Sequence, residues 1–424
     1  MGNVLSVKSA SRHSKATVHL QHLLTTSLSD FPWRIEIVDW EGCRYSIGHG
    51  GTHWAGDRVE VHIKTRRAGR HFLGLCGFKI LEDYVCGDID VGGNFFLLTW
   101  IRLYLNLELS LPTTLLRMVQ NRAFQFQSIS RAAINVSSHY DLNENFINAY
   151  LDSAYQSYSC GIFEDPECLN VEELLSHGHG KNDNFDSLEK AQFAKFKDAA
   201  DFVRPIPGER VLDIGCGYGG QLRVGAELFP DSHWVGWTHS RNQIDVGLEH
   251  LRLADVETKA VMHFGDYRQD LSVYDHILST GMVSHVGPNG LVPYVRQVRR
   301  RIRRGGRYMH HALMKPWSRR PLDSFMGVAF NKKYVWPGFH WFSLAEHCAA
   351  LERNGFRIIA EKNLRLHYSK TTAAWYLRMM GDSQALRQMV GDATFRAWQI
   401  YLAGASGGFS SGQIEVHRIY AEAI

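Results

Sequence analysis

The sequence predicts an α/β protein: a Rossmann-like domain built on a mostly parallel, seven-stranded sheet, preceded by a smaller α+β domain. Three observations lead there. First, VLDIGCGYGG (211–220) joins a short apolar run to four glycines, and QLRVGAELF (221–229) continues it at helical spacing. Strand, glycine turn and helix make up the first unit of a nucleotide-binding α/β sheet. Second, short apolar runs alternate with amphipathic stretches from there to residue 424, as in a parallel sheet covered on both faces. Third, residues from about 31 to 93 carry short alternating strands and turns instead.

Composition sets the outer limits. With 424 residues, 45% of them hydrophobic, two domains are expected. The net charge of +4 is too mild to identify a partner. Seven cysteines, an odd number without paired CxxC spacing, read as reduced thiols rather than a disulfide framework or a zinc site, so no metal is expected. FFLLTWI (95–101) is the longest apolar run near the N-terminus and falls far short of the ~20 residues that cross a bilayer. The expectation is a cytoplasmic protein. Residues 1–20, rich in Ser, Lys and Arg, are expected to be disordered, with a transit peptide as the alternative.

Residues 21–120 are assigned to the N-terminal domain. RIEIVDWEG and RVEVHIKT read as strands, the second placing Val59, Val61 and Ile63 on one face. After the glycine-rich stretch 81–94, residues 95–109 look helical and apolar, either ordinary core or a greasy surface for lipid. Residues 121–138 read as a linker helix, and 139–424 as the main domain. HGHGKNDNFD (177–186) is a loop with solvated histidines. Residues 187–203 form a helix with Ser187 as N-cap and Lys190, Lys195 and Lys197 on its polar side. Strands occur at 211–214, 233–237, 259–264, 274–280 and 307–313, with helices at 242–255 and 291–304 between them. LAEHCAALERNG and FRIIAEKNL supply a further helix and strand, and helices near 371–380 and 392–402 lead to a last strand, QIEVHRIYAEA.

Two ligands compete for the glycine turn. Gly215, Gly217 and Gly220 satisfy G-x-G-x-x-G, but a dinucleotide site wants an acidic residue at the end of the second strand. That strand ends in Thr238, His239 and Ser240. The acid sits inside the first strand instead, as Asp213, which resembles motif I of S-adenosylmethionine (SAM) methyltransferases. A glycine turn without any ligand would weaken the fold for no return.

The block from His139 onward resembles the cyclopropane fatty acid synthases and mycolic acid methyltransferases. The matching pieces, in order, are HYDL, YSCGIF, SLEKAQFAK, VLDIGCGYGG, THSRNQ, GDYR, HVG, RYMHHAL, YSKTTAAW and FRAWQIYLAGASGGF. The resemblance implies SAM as cofactor. It puts Tyr158 and Ser159 at the SAM carboxylate end, with Asp213, Gly215, Gly217 and Gly219 in its glycine turn. Thr238, Ser240 and Gln243 fall at the ribose, and Asp266 and Tyr267 at the adenine. Thr238 and Ser240 can equally be read as a plain helix N-cap.

Alkenes are poor nucleophiles, so such an enzyme must align the π bond with the SAM methyl and exclude water. Aromatic faces can stabilise the resulting cation; Tyr308, Trp336, Tyr368 and Trp375 are candidates. A positioned base to remove the last proton is worth about 10²- to 10⁴-fold in rate. The resemblance implies a bound bicarbonate for that step, held through Cys160, His311, the backbone at Leu313 and Tyr368, with a glutamate as fifth member. Here EHVG reads SHVG, so Ser284 replaces the glutamate, and Ala405 stands where several synthases have cysteine. Losing the carboxylate removes a short charge-assisted hydrogen bond. The expected reaction is therefore methylation of an unsaturated fatty acyl chain of a phospholipid, giving a methyl- or methylene-branched chain, with His285, His310 or Tyr368 as replacement base. Ring closure at the same bond, a small-molecule C-methyltransferase and a catalytically silent lipid-binding homologue are the alternatives. Seven arginines between 296 and 307 point to an anionic membrane surface and peripheral association with the inner membrane face. Nucleic acid is disfavoured because no reader motif accompanies the charge; a homodimer is left open.

Overall fold

The computed structural model describes residues 14–48, 59–74, 76–93, 95–104, 144–166, 186–316, 323–336 and 338–424. The expected linker at 121–138, the HYDL piece and nearly all of the 177–186 loop lie outside these residues. The chain divides into two units, Met1–Glu108 and Leu109–Ile424.

In the first unit, helix α1 (Lys15–Ser27) starts inside the stretch expected to be disordered, and the Ser14 hydroxyl caps it by accepting from the Thr17 amide. Strands β1 (Ile35–Val38), β2 (Arg44–Ile47), β3 (Val59–Ile63) and β4 (Ile89–Gly93) form a sheet of order β2-β1-β3-β4. Val59, Val61 and Ile63 are buried, as their alternation requires. Helices α2 (Arg66–Leu73), α3 (Gly77–Val85) and α4 (Phe95–Tyr104) are the remaining elements among its described residues. No described helix is long and apolar enough to cross a membrane.

The second unit carries the larger sheet. Its strands are β5 (Arg210–Ile214), β6 (His233–Thr238), β7 (Ala260–Phe264), β8 (His276–Thr280), β9 (Arg307–Lys315), β10 (Phe342–Ser343), β11 (Phe356–Asn363) and β12 (Glu415–Ala423). Seven lie in the order β11-β12-β9-β8-β5-β6-β7, and the two-residue β10 adds an eighth beside β9. Strands β5 to β10 run parallel; only β12 is antiparallel, to β9 on one side and β11 on the other. The chain moves outward from β5 through β6 to β7, then returns to β8 on the other side of β5. Ligands of open α/β sheets bind at the carboxyl ends of the strands where the order reverses in this way.

The buried strands read as continuous apolar runs because both faces are covered. Trp234 of β6 is fully buried and lies against Gly225 of the helix Gly220–Leu228. A side chain of that size removes roughly 150–250 Å² from water, or about 4–6 kcal/mol at ~25 cal/mol/Å².

One charge expectation is corrected. Lys195 is buried rather than on the polar side of its helix (Asp186–Val203), while Lys190 and Lys197 are exposed. That helix begins at Asp186, so Ser187 lies inside its first turn. Five of the seven arginines between 296 and 307 are exposed, and several of the seven also bind other parts of the protein. Arg303 pairs with Glu209 and Asp275, Arg307 donates to the Phe202 carbonyl, Arg299 to the carbonyls of Gly355 and Ile424, and buried Arg301 to that of Arg268. Glu209, Asp275 and Arg307 mark the amino ends of β5, β8 and β9, so this cluster occupies the end of the sheet opposite the glycine turn.

Candidate active site

A cavity of about 510 Å³ opens at the carboxyl ends of the parallel strands. Its wall is assembled strand by strand. Gly215 and Gly217 come after β5, Thr238 and His239 from the end of β6, and Gly265 to Arg268 after β7. The segment from Thr280 to Gly290 continues from β8, and His311 and Leu313 project from β9 itself. The far wall is aromatic: Trp336, Phe339, Trp341, Tyr368, Tyr401 and Phe409.

The glycine turn needs its glycines. Gly215 adopts φ +83°, and a Cβ there would lie 3.1 Å from the Cβ of Met282 across the cavity wall. Gly219 adopts φ +78° at the helix N-cap, where a Cβ would meet the Met262 sulfur at 2.9 Å. Both positions strain any residue with a side chain. The amides of Gly215 and Cys216 both donate to the Trp237 carbonyl, fixing the bend, while the Trp237 indole Nε1 lacks a partner.

Tyr158, Ser159, Thr238, Gln243, Asp266 and Tyr267 all line this cavity. Thr238 donates to Gln243 Oε1 at 2.6 Å. Burial pushes the Asp266 carboxyl up, but hydrogen bonds from His239 and Arg268 outweigh it and hold it well below the usual carboxylate range. Arg268 Nε lies 2.8 and 2.9 Å from the two Asp266 oxygens. Ser240 caps the helix Arg241–Leu253 by accepting from the Gln243 amide, and it does not reach the cavity wall. Asp213 and Gly219 stand behind the wall; burial pushes the Asp213 carboxyl up to about 7, against the attraction of Lys195.

At the aromatic end, Tyr158 is stacked between Trp336 (centroids 5.5 Å apart, 11° between planes) and Trp375 (5.1 Å, 28°). Tyr368 stacks on Phe409 at 4.6 Å, and the His285 ring is 5.5 Å from Trp336. Ser284, His285, His311, Leu313, Tyr368 and Ala405 line the same space. The Ser284 hydroxyl and His311 Nδ1 are buried without a hydrogen-bond partner. Burial holds His285 down to about 4 and His311 well below its ordinary value, so both imidazoles are neutral at pH 7. Among the cavity-lining residues the carboxylate is Asp266, at the opposite end.

At this end the candidates Trp375, His310, Tyr308 and Cys160 fall outside the cavity wall. His310 precedes His311 in β9, and successive strand residues face opposite sides. Its ring lies between Tyr308 and His347, at 2.8 and 2.9 Å, away from the cavity. Tyr308 shares that face, bonded to Tyr294 at 2.9 Å. Cys160 is fully buried, and its thiol, pushed up to about 12 by burial, has the carbonyls of Gly161 (3.2 Å) and Leu364 (3.8 Å) as acceptors for its one proton.

Similarity to known proteins accords with this architecture. The family profile described as "Mycolic acid cyclopropane synthetase" matches residues 127–419. The chain belongs to the mycolic acid cyclopropane synthetase family. Within that family's wider relations, it is 30% identical over 290 residues to a probable fatty acid methyltransferase of Pseudomonas putida, covering 68% of each chain. It is 28% identical over 304 residues to the cyclopropane-fatty-acyl-phospholipid synthase of Escherichia coli K12, covering 72% of each. In fold it resembles a mycolic acid cyclopropane synthase solved with SAH and CTAB, with a TM-score of 0.60 and 23% identity over 68% of this chain and 98% of that one. The protein is thus a SAM-dependent methyltransferase whose chemistry is the modification of lipid chains.

The residues present fit SAM, because the glycine cradle, Thr238, Gln243 and the pinned Asp266 surround one continuous space. They do not fit the implied bicarbonate set. Its glutamate is Ser284, and the Cys160 thiol is engaged with backbone carbonyls outside the cavity wall. Sequence reasoning missed Lys195, although Leu188, Ala191, Gln192, Lys195 and Ala199 recur at helical spacing on one buried face. It also missed Tyr401, and Phe409, which lies beyond residue 402 on a helix that runs on to Ser410.

Proposed function

We propose that this enzyme methylates a double bond in an unsaturated acyl chain of a phospholipid and leaves a methyl- or methylene-branched chain. One observation carries the choice of product: the uncharged, unpartnered Ser284 hydroxyl on the cavity wall where the family's carboxylate is expected.

SAM supplies an electrophilic methyl group at the glycine end. Gly215 and Gly217 leave room for it, and the aromatic wall holds the olefin across the same cavity with water excluded. Transfer joins the methyl to one olefinic carbon and leaves positive charge on the other, facing Tyr158, Trp336 and Tyr368. A 1,2-hydride shift from the methyl-bearing carbon to the cationic one places the charge beside the new methyl group, and loss of a methyl proton then gives a methylene branch; loss of a proton from a chain carbon beside the charge gives a methylated alkene. A saturated branch then requires a hydride from a separate reductant. A proton beside a cationic carbon is acidic enough for a weak base, so neutral His285 suffices, with Tyr368 as the alternative.

Mass spectrometry of lipids from cells expressing the protein tests this. The expected product gains one CH2 and keeps its unsaturation; a gain of CH2 with the double bond lost means a ring. The ring is the second reading, favoured by the similarity to the E. coli synthase. Ser284→Glu is expected to move the product toward the ring, and an unchanged product ratio would remove Ser284 from the choice.

A further inference from the structure

Lys195 is an unusual residue to find 1% exposed. Its ammonium donates to the Ser159 hydroxyl at 2.8 Å, to Gln192 Oε1 at 2.6 Å and to the Ser157 hydroxyl. All three acceptors are neutral, and among the described residues no carboxylate forms an ion pair with it. Ser159 itself lines the cavity at the end beside Tyr158. A buried cation therefore lies one hydroxyl group away from the cofactor space.

We propose that Lys195 is a positioning residue for the cofactor: acting through the Ser159 hydroxyl, its ammonium is the counter-charge for the carboxylate of the methionyl part of SAM. This rests on the reading that Tyr158 and Ser159 face that carboxylate.

The charge arithmetic around Lys195 favours an incoming anion. Asp152 attracts Lys195 through space and partly offsets its burial, but its carboxylate is held by the amides of Tyr155 and Ser157, at 2.7 and 2.8 Å, and makes no ion pair with it. Asp213 of β5 is pushed up to about 7 by burial and leaves Oδ1 without a partner. Arg418 of β12 adds a second buried cation, committed to Asp198 at 2.6 Å. Cys160 stays protonated, and His311 of β9 stays neutral. Burial lowers Lys195 itself to about 7, so the cation is only half formed at neutral pH. A carboxylate arriving at Ser159 favours the charged form and raises that value. Cofactor binding then takes up a proton, and affinity falls as pH rises above the value for the free protein.

The test is calorimetric titration of the full chain with S-adenosylhomocysteine and with methylthioadenosine, which lacks the amino-acid part, between pH 6.5 and 8.5. The expected result is an S-adenosylhomocysteine Kd that weakens by about tenfold across that range and a flat methylthioadenosine Kd. Proton uptake is read directly by repeating the titration in buffers of different ionisation enthalpy. Lys195→Met is expected to weaken S-adenosylhomocysteine binding at pH 6.5 and to abolish the slope. A slope that survives in Lys195→Met belongs to Asp213 and overturns the proposal, as does a flat wild-type profile. Should Lys195→Met fail to fold, the contrast between the two ligands on the wild-type protein still decides. Failure of both ligands to bind at any pH would instead overturn the placement of the cofactor itself.

Discussion

His310 and His311 are adjacent in the chain and end on opposite faces of one strand, so their substitution should have unlike consequences. His311→Ala removes a ring from the cavity wall and is expected to lower turnover by about 10²-fold. His310→Ala leaves Tyr308 and His347 without their shared partner, and is expected to cost about 1–3 kcal/mol of stability with turnover nearly unchanged. Steady-state kinetics beside urea unfolding separates the two. The pair also marks a limit of sequence reasoning. Short matched pieces name both histidines, but only strand register decides which one lines the cavity. Ser284 was legible from its SHVG context alone, whereas Lys195 was misplaced because a charged residue was assigned to solvent against its own periodicity. Where an apolar stripe and a charge disagree, the stripe located the residue.

At the level of elements, the β5–turn–helix unit was readable because strand, glycines and helix are contiguous, and each signals locally. The same holds for β6 to β9, which the structure places within one or two residues of their expected bounds. The packing of these elements gives a sharp prediction. A Cβ on Gly225 would sit 2.4 Å from the Trp234 ring, so Gly225→Ala must push helix and strand apart, at a cost of about 1–3 kcal/mol read as a lower urea midpoint. The arginine-rich helix (Leu291–Arg301) was read correctly as a helix, and Arg296, Arg300, Arg303, Arg304 and Arg307 are exposed as a basic face requires. Its charges and those of the next segment answer carboxylates and carbonyls from distant parts of the chain, such as Glu209 and Ile424, which no local pattern reveals.

Across the whole molecule, the family match at 127–419 falls inside the second unit, Leu109–Ile424, which has its own sheet and core. A fragment starting at Leu109 is expected to fold and to bind S-adenosylhomocysteine within about threefold of the full chain, checked by calorimetry; a loss greater than tenfold would tie the first unit to cofactor binding. What local patterns could not supply is long-range order, above all that β12 inserts between β9 and β11. That placement bears on biosynthesis. A ribosome must release residues 415–423 before the edge of β9 is covered, and until then a nascent chain presents an open, apolar strand edge prone to self-association. Premature termination anywhere upstream of residue 415 should therefore yield aggregate rather than a weakened enzyme.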